Sequence, residues 1–296
     1  MISDYINIER DIKSEALQRI TEYGLKSSFV NVNNYNIHYV SAGEGEPIIL
    51  IHGWLCWGAY WNRIIPLLSK RYRVYALDLL GNGISDKPCN NFIKYTIDEQ
   101  VEIVEKFIEQ LSLNNVCIMG HSLGGATAAK VAMNSPEKIK KLVLIGAVGF
   151  RKGLKRLPLS LRGAWAMHIE RMIPYFVSKG TIKFFHKRYL FYHENPVDDK
   201  LIDEMVLVNY SNNESRMACQ KSGEGIFNDF VNSKAVNISI PTLLIWGKYD
   251  KLSPISVGKE YHDLIGNSKL EIIDNAAHMV FHEKPDEVAR LILCFL

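Results

Sequence analysis

The sequence holds no run of about 18–20 consecutive apolar residues, the length a helix needs to cross a bilayer, so no spanning helix is expected. Its first twenty residues, MISDYINIERDIKSEALQRI, alternate charged and apolar side chains and offer no apolar core of a secretory leader. Cysteine is sparse. The five residues Cys56, Cys89, Cys117, Cys219 and Cys294 are scattered, odd in number and form no CxxC pair. That pattern excludes a disulfide framework and reads as free thiols in a reducing, cytoplasmic setting. A large charge of one sign is missing too. The formal net charge is +3, too small to make the whole molecule a nucleic-acid binder. There is no internal repeat and no low-complexity tract.

What remains is the material of a large buried core. Of 296 residues, 47% are hydrophobic, enough for one α/β core carrying an insertion. Ile8, Ile12, Leu17 and Ile20 recur at helical spacing, predicting an amphipathic helix over residues 2–23. SSFVNVNN and YNIHYVSAG meet at Asn33-Asn34 and read as a hairpin. Short apolar runs then alternate with amphipathic segments. IILIHG, YRVYALDLLG, NVCIMG and KLVLIG read as strands, with helices predicted at WNRIIPLLSK, TIDEQVEIVEKFIEQL and from Leu123 to Asn134. This alternation indicates βαβ units and a parallel sheet. Runs apolar at every position suit strands covered on both faces.

The pattern breaks near Arg151 and resumes with ISIPTLLIWG, a helix near VGKEYHDLI, the strand KLEIID and a last helix, KPDEVARLILCFL. Residues 1–150 and 231–296 are therefore expected to form the core, and 151–230 a helical cap over the carboxyl edge of the sheet.

Gly120-His121-Ser122-Leu123-Gly124 carries the chemistry. GxSxG alone is a weak signal and is equally a glycine turn with an incidental serine. Its context decides. The apolar strand VCIMG ends at the motif and a small-residue helix, LGGATAAKVAM, leaves from it. A nucleophile elbow needs that arrangement. A serine hydroxyl also needs a base. Of nine histidines, His278 follows the last strand within a small-residue loop, NAAHMV, where catalytic histidines are presented. His278 and His282 stand four apart, but HExxH is absent and no third ligand offers itself, so no metal or other cofactor is expected. Asp250, in the turn GKYDKLSP after TLLIWG, is the candidate carboxylate to orient the histidine, the alternative being a solvated turn residue. The order Ser122, Asp250, His278 is the order this arrangement takes along the chain. Backbone N–H groups of Trp54, after His52-Gly53, and of Leu123 are the candidate oxyanion donors.

Taken together, LIHGW, DLLGNGISDKP, GHSLGG, WGKYDKLSP and NAAHMVFHEKPDEV resemble the α/β-hydrolase fold-1 family of esterases, lipases and related hydrolases, from about residue 27 onward. The resemblance implies an α/β-hydrolase fold, a mostly parallel central sheet flanked by helices with a helical cap insertion. It also implies an acyl-enzyme on Ser122 that water hydrolyses. Branches with an aspartate nucleophile, haloalkane dehalogenases and epoxide hydrolases, fit poorly because the position holds Ser122. Carbon–carbon hydrolases of ring-cleavage products commonly carry Trp after the catalytic histidine and a Gly-Pro-Gly type oxyanion loop. This chain has Met279 and GWLCWGAYW. Asp78 and Asp86 look like members of the family's structural loop.

Residues 151–193 hold ten Lys or Arg against one acid, Glu170, interleaved with aromatics including Trp165, Phe184, Phe185 and Tyr189. They are read either as a pocket-lining cap with solvated lysines or as a surface for an anionic membrane. The expected activity is hydrolysis of a carboxylic ester with an apolar acyl group. The alternatives are C–C bond or lactone hydrolysis on the same residues, and a non-catalytic ligand receptor on the same fold.

Overall fold

The computed structural model describes residues 2–89, 93–148, 178–228 and 237–296. An eight-stranded sheet runs in the order β1-β2-β4-β3-β5-β6-β7-β8. Its strands are β1 (Lys26–Val32), β2 (Tyr35–Ala42), β3 (Pro47–Ile51), β4 (Arg73–Leu77), β5 (Val116–His121), β6 (Ile139–Ile145), β7 (Thr242–Gly247) and β8 (Ser268–Ile273). β1 pairs antiparallel with β2, and β2 with β4; the remaining pairs are parallel. The hairpin turns at Asn33 and Asn34, both with positive φ (51° and 66°), as a tight primed turn requires.

The all-apolar strands divide their side chains between two cores by the period of two. Ile48, Leu50, Cys117, Met119, Val143, Ile145, Leu243 and Ile245 join one. Ile49, Ile51, Ile118, Leu142, Leu144, Leu244 and Trp246 join the other. The first face is covered by α1 (Ile2–Glu22), the short α2 (Ile65–Leu68) and the C-terminal α10 (Pro285–Phe295). The second is covered by α3 (Ile97–Gln110), α4 (Leu123–Asn134) and α8 (Ile255–Leu264). α3 starts in a capping box formed by Thr96 and Glu99.

The chain leaves β3 toward β4 on one side and returns to β5 on the other. The carboxyl ends of β3 and β5 therefore flank the topological switch point, where sheets of this kind bind ligands.

One local difference from the sequence reading has a clear physical cause. WNRIIPLLSK is not one helix but a 3₁₀ turn, Gly58–Trp61, followed by one turn of α-helix. The Gly58 N–H is committed to the Asp78 carboxylate, and Pro66 has no N–H to continue a ladder. A separate single turn, α9 (Val280–Glu283), also precedes α10.

The described part of residues 151–230 is mostly helical, with turns and coil over 191–198. It contains α5 (Lys179–Phe185), one π turn (His186–Leu190), α6 (Asp199–Tyr210) and α7 (Asn213–Asn228). The basic and aromatic positions from Arg151 to Phe176 lie outside the described residues. Of the described lysines here, Lys179 pairs with Asp203 and Lys183 with Asp199. Among the described residues, no helix is long and apolar enough to cross a membrane.

Candidate active site

Ser122 stands between β5 and α4 at φ 54° and ψ −115°. A non-glycine residue holds a positive φ only where the surroundings compel it. Here they do. The Ser122 N–H donates to the Ile145 carbonyl at 3.0 Å, and the Ser122 carbonyl accepts from Gly125 and Val148 N–H groups at 3.0 and 3.1 Å. Glycines give the turn its room. A Cβ on Gly120 would lie 2.0 Å from the Gly124 carbonyl oxygen, and one on Gly124 would lie 2.2 Å from that of Ile51. The GHSLGG spacing thus lets α4 start directly against the ends of β3 and β5.

Asp250 and His278 arrive on the turns after β7 and β8. The His278 Nδ1–H donates to Asp250 Oδ2 at 2.7 Å, with both residues buried. The other carboxylate oxygen of Asp250 accepts from the N–H groups of Leu252 and Ser253 at 2.9 and 2.8 Å. With Nδ1 committed to the carboxylate, Nε2 of His278 is the nitrogen free to take a proton. One short segment holds serine and pair together. Ile145, which accepts from Ser122, is followed by Gly146 at φ 50°. A Cβ there would sit 3.2 Å from Asp250 Oδ2 and 3.4 Å from His278 Nδ1. Three sequence-distant residues therefore follow the carboxyl ends of β5, β7 and β8, at one edge of the sheet.

The neighbouring histidines are frame. His121 donates from Nε2 to the His278 carbonyl at 3.0 Å, and the two rings lie 4.7 Å apart. Burial and the proximity of His278 hold His121 well below the ordinary imidazole range, so it stays neutral. His52 is neutral for the same first reason, burial. Its Nε2 accepts from the Leu79 N–H at 3.0 Å, so Nδ1 carries the proton and donates to the Gly53 carbonyl at 2.6 Å. In a planar trans peptide the carbonyl and the next N–H point opposite ways. Fixing the Gly53 carbonyl therefore directs the Trp54 N–H away from His52. Gly53 itself packs against Ser122, since a Cβ on it would lie 3.2 Å from Ser122 Cβ. Neither the Trp54 N–H nor the Leu123 N–H has a backbone acceptor among the described residues.

Asp78 anchors the same loop from below. It takes N–H groups from Gly58 and Ile84 and the Nδ1–H of His38. Burial opposes its ionisation, but His38 and those N–H groups outweigh it and hold the carboxyl below its ordinary value. Asp78 is thus structural, as the sequence suggested. Among the described residues no cluster of three or more His, Cys, Asp or Glu side chains is arranged to hold a metal ion. A cleft of about 400 Å³ is lined by Ile12, Tyr35, the 83–88 loop and Glu214, not by Ser122, Asp250 or His278.

A family model described as the alpha/beta hydrolase fold matches residues 46–285. The chain belongs to the α/β-hydrolase family. Among α/β hydrolases it is 30% identical over 299 residues to a 2-hydroxy-6-oxo-6-(2'-aminophenyl)hexa-2,4-dienoic acid hydrolase of Metapseudomonas resinovorans, spanning 96% of this chain and 95% of that one. It is 28% identical over 281 residues to a soluble epoxide hydrolase of Corynebacterium sp. (strain C12), spanning 89% and 94%. Among solved α/β-hydrolase structures, a membrane phospholipase A described as a bacterial virulence factor superposes with TM-score 0.79 at 26% identity, covering 98% of this chain and 92% of that one.

Sequence reasoning singled out Ser122, Asp250, His278, Trp54 and Leu123. It did not foresee Gly146, which faces the Asp–His hydrogen bond, or the tautomer role of His52. It also passed over Glu283, which lies inside the quoted segment NAAHMVFHEKPDEV and signalled nothing by itself, because its partners are far away in sequence.

Proposed function

We propose that this α/β hydrolase cleaves a carboxylic ester of an apolar acyl substrate through an acyl-enzyme on Ser122. The observation that carries the reading is the buried 2.7 Å hydrogen bond from His278 to Asp250, at the same sheet edge as a serine held at positive φ. His278 Nε2 takes the Ser122 Oγ proton as Oγ bonds to the acyl carbon. The negative charge that develops on the carbonyl oxygen is met by the Trp54 and Leu123 N–H groups. The ester C–O bond then breaks and the alcohol leaves with the proton from His278. Water, deprotonated by the same nitrogen, attacks the acyl carbon; the acid departs and Ser122 regains its proton. Asp250 keeps the imidazole in one tautomer and stabilises its charged form. Likeness to a phospholipase over nearly the whole chain supports an ester.

A second reading, C–C bond hydrolysis on the same residues, is favoured by the 30% identity to the dienoic acid hydrolase. Met279 and the GWLCWGAYW loop argue against it. Likeness to an epoxide hydrolase does not carry over its reaction, because Ser122 stands at the nucleophile position.

A fluorophosphonate probe and p-nitrophenyl esters of graded chain length test the proposal, with a 2-hydroxy-6-oxo-dienoate as the competing substrate. Labelling lost in Ser122→Ala, with ester turnover, supports it. Turnover of the dienoate alone moves the assignment to the second reading. An intact protein that is neither labelled nor active would leave a ligand receptor. His278→Ala and Asp250→Asn should each lower kcat by about 10⁴-fold, the scale seen when a triad member is removed.

A further inference from the structure

Around the Asp250–His278 pair, the residues on both sides of each member are gripped from outside the sheet. Ala277, before His278, gives its N–H to Glu283 Oε2 at 2.7 Å. Met279, after it, gives its N–H to the Leu190 carbonyl at 3.0 Å. Tyr249, before Asp250, packs its ring against that of Tyr192 at a 43° tilt, with centroids 4.7 Å apart. Lys251, after it, donates to the Arg188 carbonyl at 3.1 Å. Apart from Glu283, all of these partners lie in the stretch from the π turn to Asn195.

Glu283 ties that stretch to the histidine loop. Its Oε1 accepts the Tyr192 N–H at 2.6 Å and Asn195 Nδ2 at 2.9 Å. Asn195 Nδ2 also donates to the Asn275 carbonyl at 3.0 Å, at the start of the loop that carries His278. Three donors thus converge on two carboxylate oxygens. Only an acceptor-only group satisfies them all.

We infer that Glu283 is a positioning residue for His278: its carboxylate fixes the 275–279 loop against the 188–195 segment and so sets where the imidazole stands relative to Ser122. This rests on Ser122 and His278 working as proposed above. An amide at position 283 would turn a donor toward either Ala277 or the Tyr192–Asn195 side, and one of those grips would open. A loop displacement of about 1 Å is enough to cost roughly 10²-fold in rate at a site that depends on orientation.

The test uses the full-length protein with Glu283→Gln, Glu283→Asp and Asn195→Ala. The first readout is the rate of Ser122 labelling by a fluorophosphonate, which needs no knowledge of the natural substrate. The second is kcat and KM per labelled site for a p-nitrophenyl ester. Glu283→Gln is expected to slow labelling and kcat by about 10- to 100-fold with KM changed less than about threefold. Glu283→Asp, which keeps two acceptor oxygens, should recover part of the loss, and Asn195→Ala should change kcat less than Glu283→Gln does. A third readout does not depend on turnover. The downfield proton resonance of the His278 Nδ1–H, identified by its loss in Asp250→Asn, should shift or broaden in Glu283→Gln. Labelling within twofold of the parent in Glu283→Gln, or an unchanged resonance, overturns the inference. If Glu283→Gln does not fold, an Asp variant that folds and labels no faster than the Asn195→Ala protein also supports it, and one equal to the parent overturns it. A parent that is never labelled refutes the serine mechanism, a separate failure.

Discussion

Lowering the pH should strip this fold of stability through histidines that it keeps buried and neutral. His186 is pushed by burial from 6.5 down to about 4, and His282 from 6.5 down to about 3, again by burial first and then by the nearby Arg63 charge. Each has its Nε2 buried without a partner among the described residues. The Nδ1 of His186 faces the Ile182 carbonyl at 2.9 Å, so the ring is satisfied as a neutral donor on one side only. In the unfolded chain both rings bind a proton near pH 6.5; in the fold neither does until about pH 4 and 3. The unfolded state therefore holds more protons throughout that window. Stability rises with pH across it and is lost as the pH falls. At pH 5 each histidine withholds about 2 kcal/mol, one and a half pH units at about 1.4 kcal/mol each. Together they remove about 4 kcal/mol of a total that for such domains is about 5–15 kcal/mol. His52 and His121, lowered by burial as well, act in the same direction. Glu204 and Glu283, whose carboxyls burial raises, act in the opposite direction. The contribution of each histidine is isolated by comparing the parent with His186→Asn and His282→Asn, which do not titrate. Urea unfolding followed by tryptophan fluorescence at pH 5, 6 and 7.5 gives the slope of stability against pH. Each substitution should lower that slope by up to about 1.4 kcal/mol per pH unit on the acid side of pH 6. Slopes equal to the parent in both variants would refute the buried neutral state of these rings.

Three other outcomes are expected. Gly124→Ala places a Cβ 2.2 Å from the Ile51 carbonyl oxygen and should destabilise the protein by about 1–3 kcal/mol or more; a melting temperature equal to the parent's would show that α4 can move off β3. His52→Phe removes the hydrogen bond to the Gly53 carbonyl and the Leu79 bond that sets the His52 tautomer, and should lower kcat for esters by about 10²-fold, the scale of one lost oxyanion donor; steady-state kinetics within threefold of the parent would remove Trp54 from that role. We further propose that the basic, aromatic stretch from Arg151 to Arg188 adsorbs to anionic lipid. The protein should then co-sediment with phosphatidylserine vesicles at low salt and not with phosphatidylcholine alone, and equal recovery from both would dismiss the idea.

Much of the candidate site was legible in the order of residues, because the residue types it needs lie in short stretches. Elbow glycines sit next to the serine they make room for. The strand that ends at Ser122 and the helix that begins after it are marked by periodicity and small side chains. Asp250 and His278 could be chosen because each follows a readable strand, and parallel strands bring their carboxyl ends to one edge.

Pairings between distant segments were decided only when the sheet closed. Nothing near Gly146 in sequence says that it will face the Asp–His hydrogen bond; the register of β6 against β7 puts it there. The neutral tautomer of His52 depends on the Leu79 N–H, 27 residues away. Glu283 reads as an ordinary acid two residues ahead of a proline, yet its donors come from Tyr192, Asn195 and Ala277. Local sequence carries backbone propensity and the residue types that chemistry needs. Which hydrogen bonds orient those residues is set by non-local packing, which no single segment encodes.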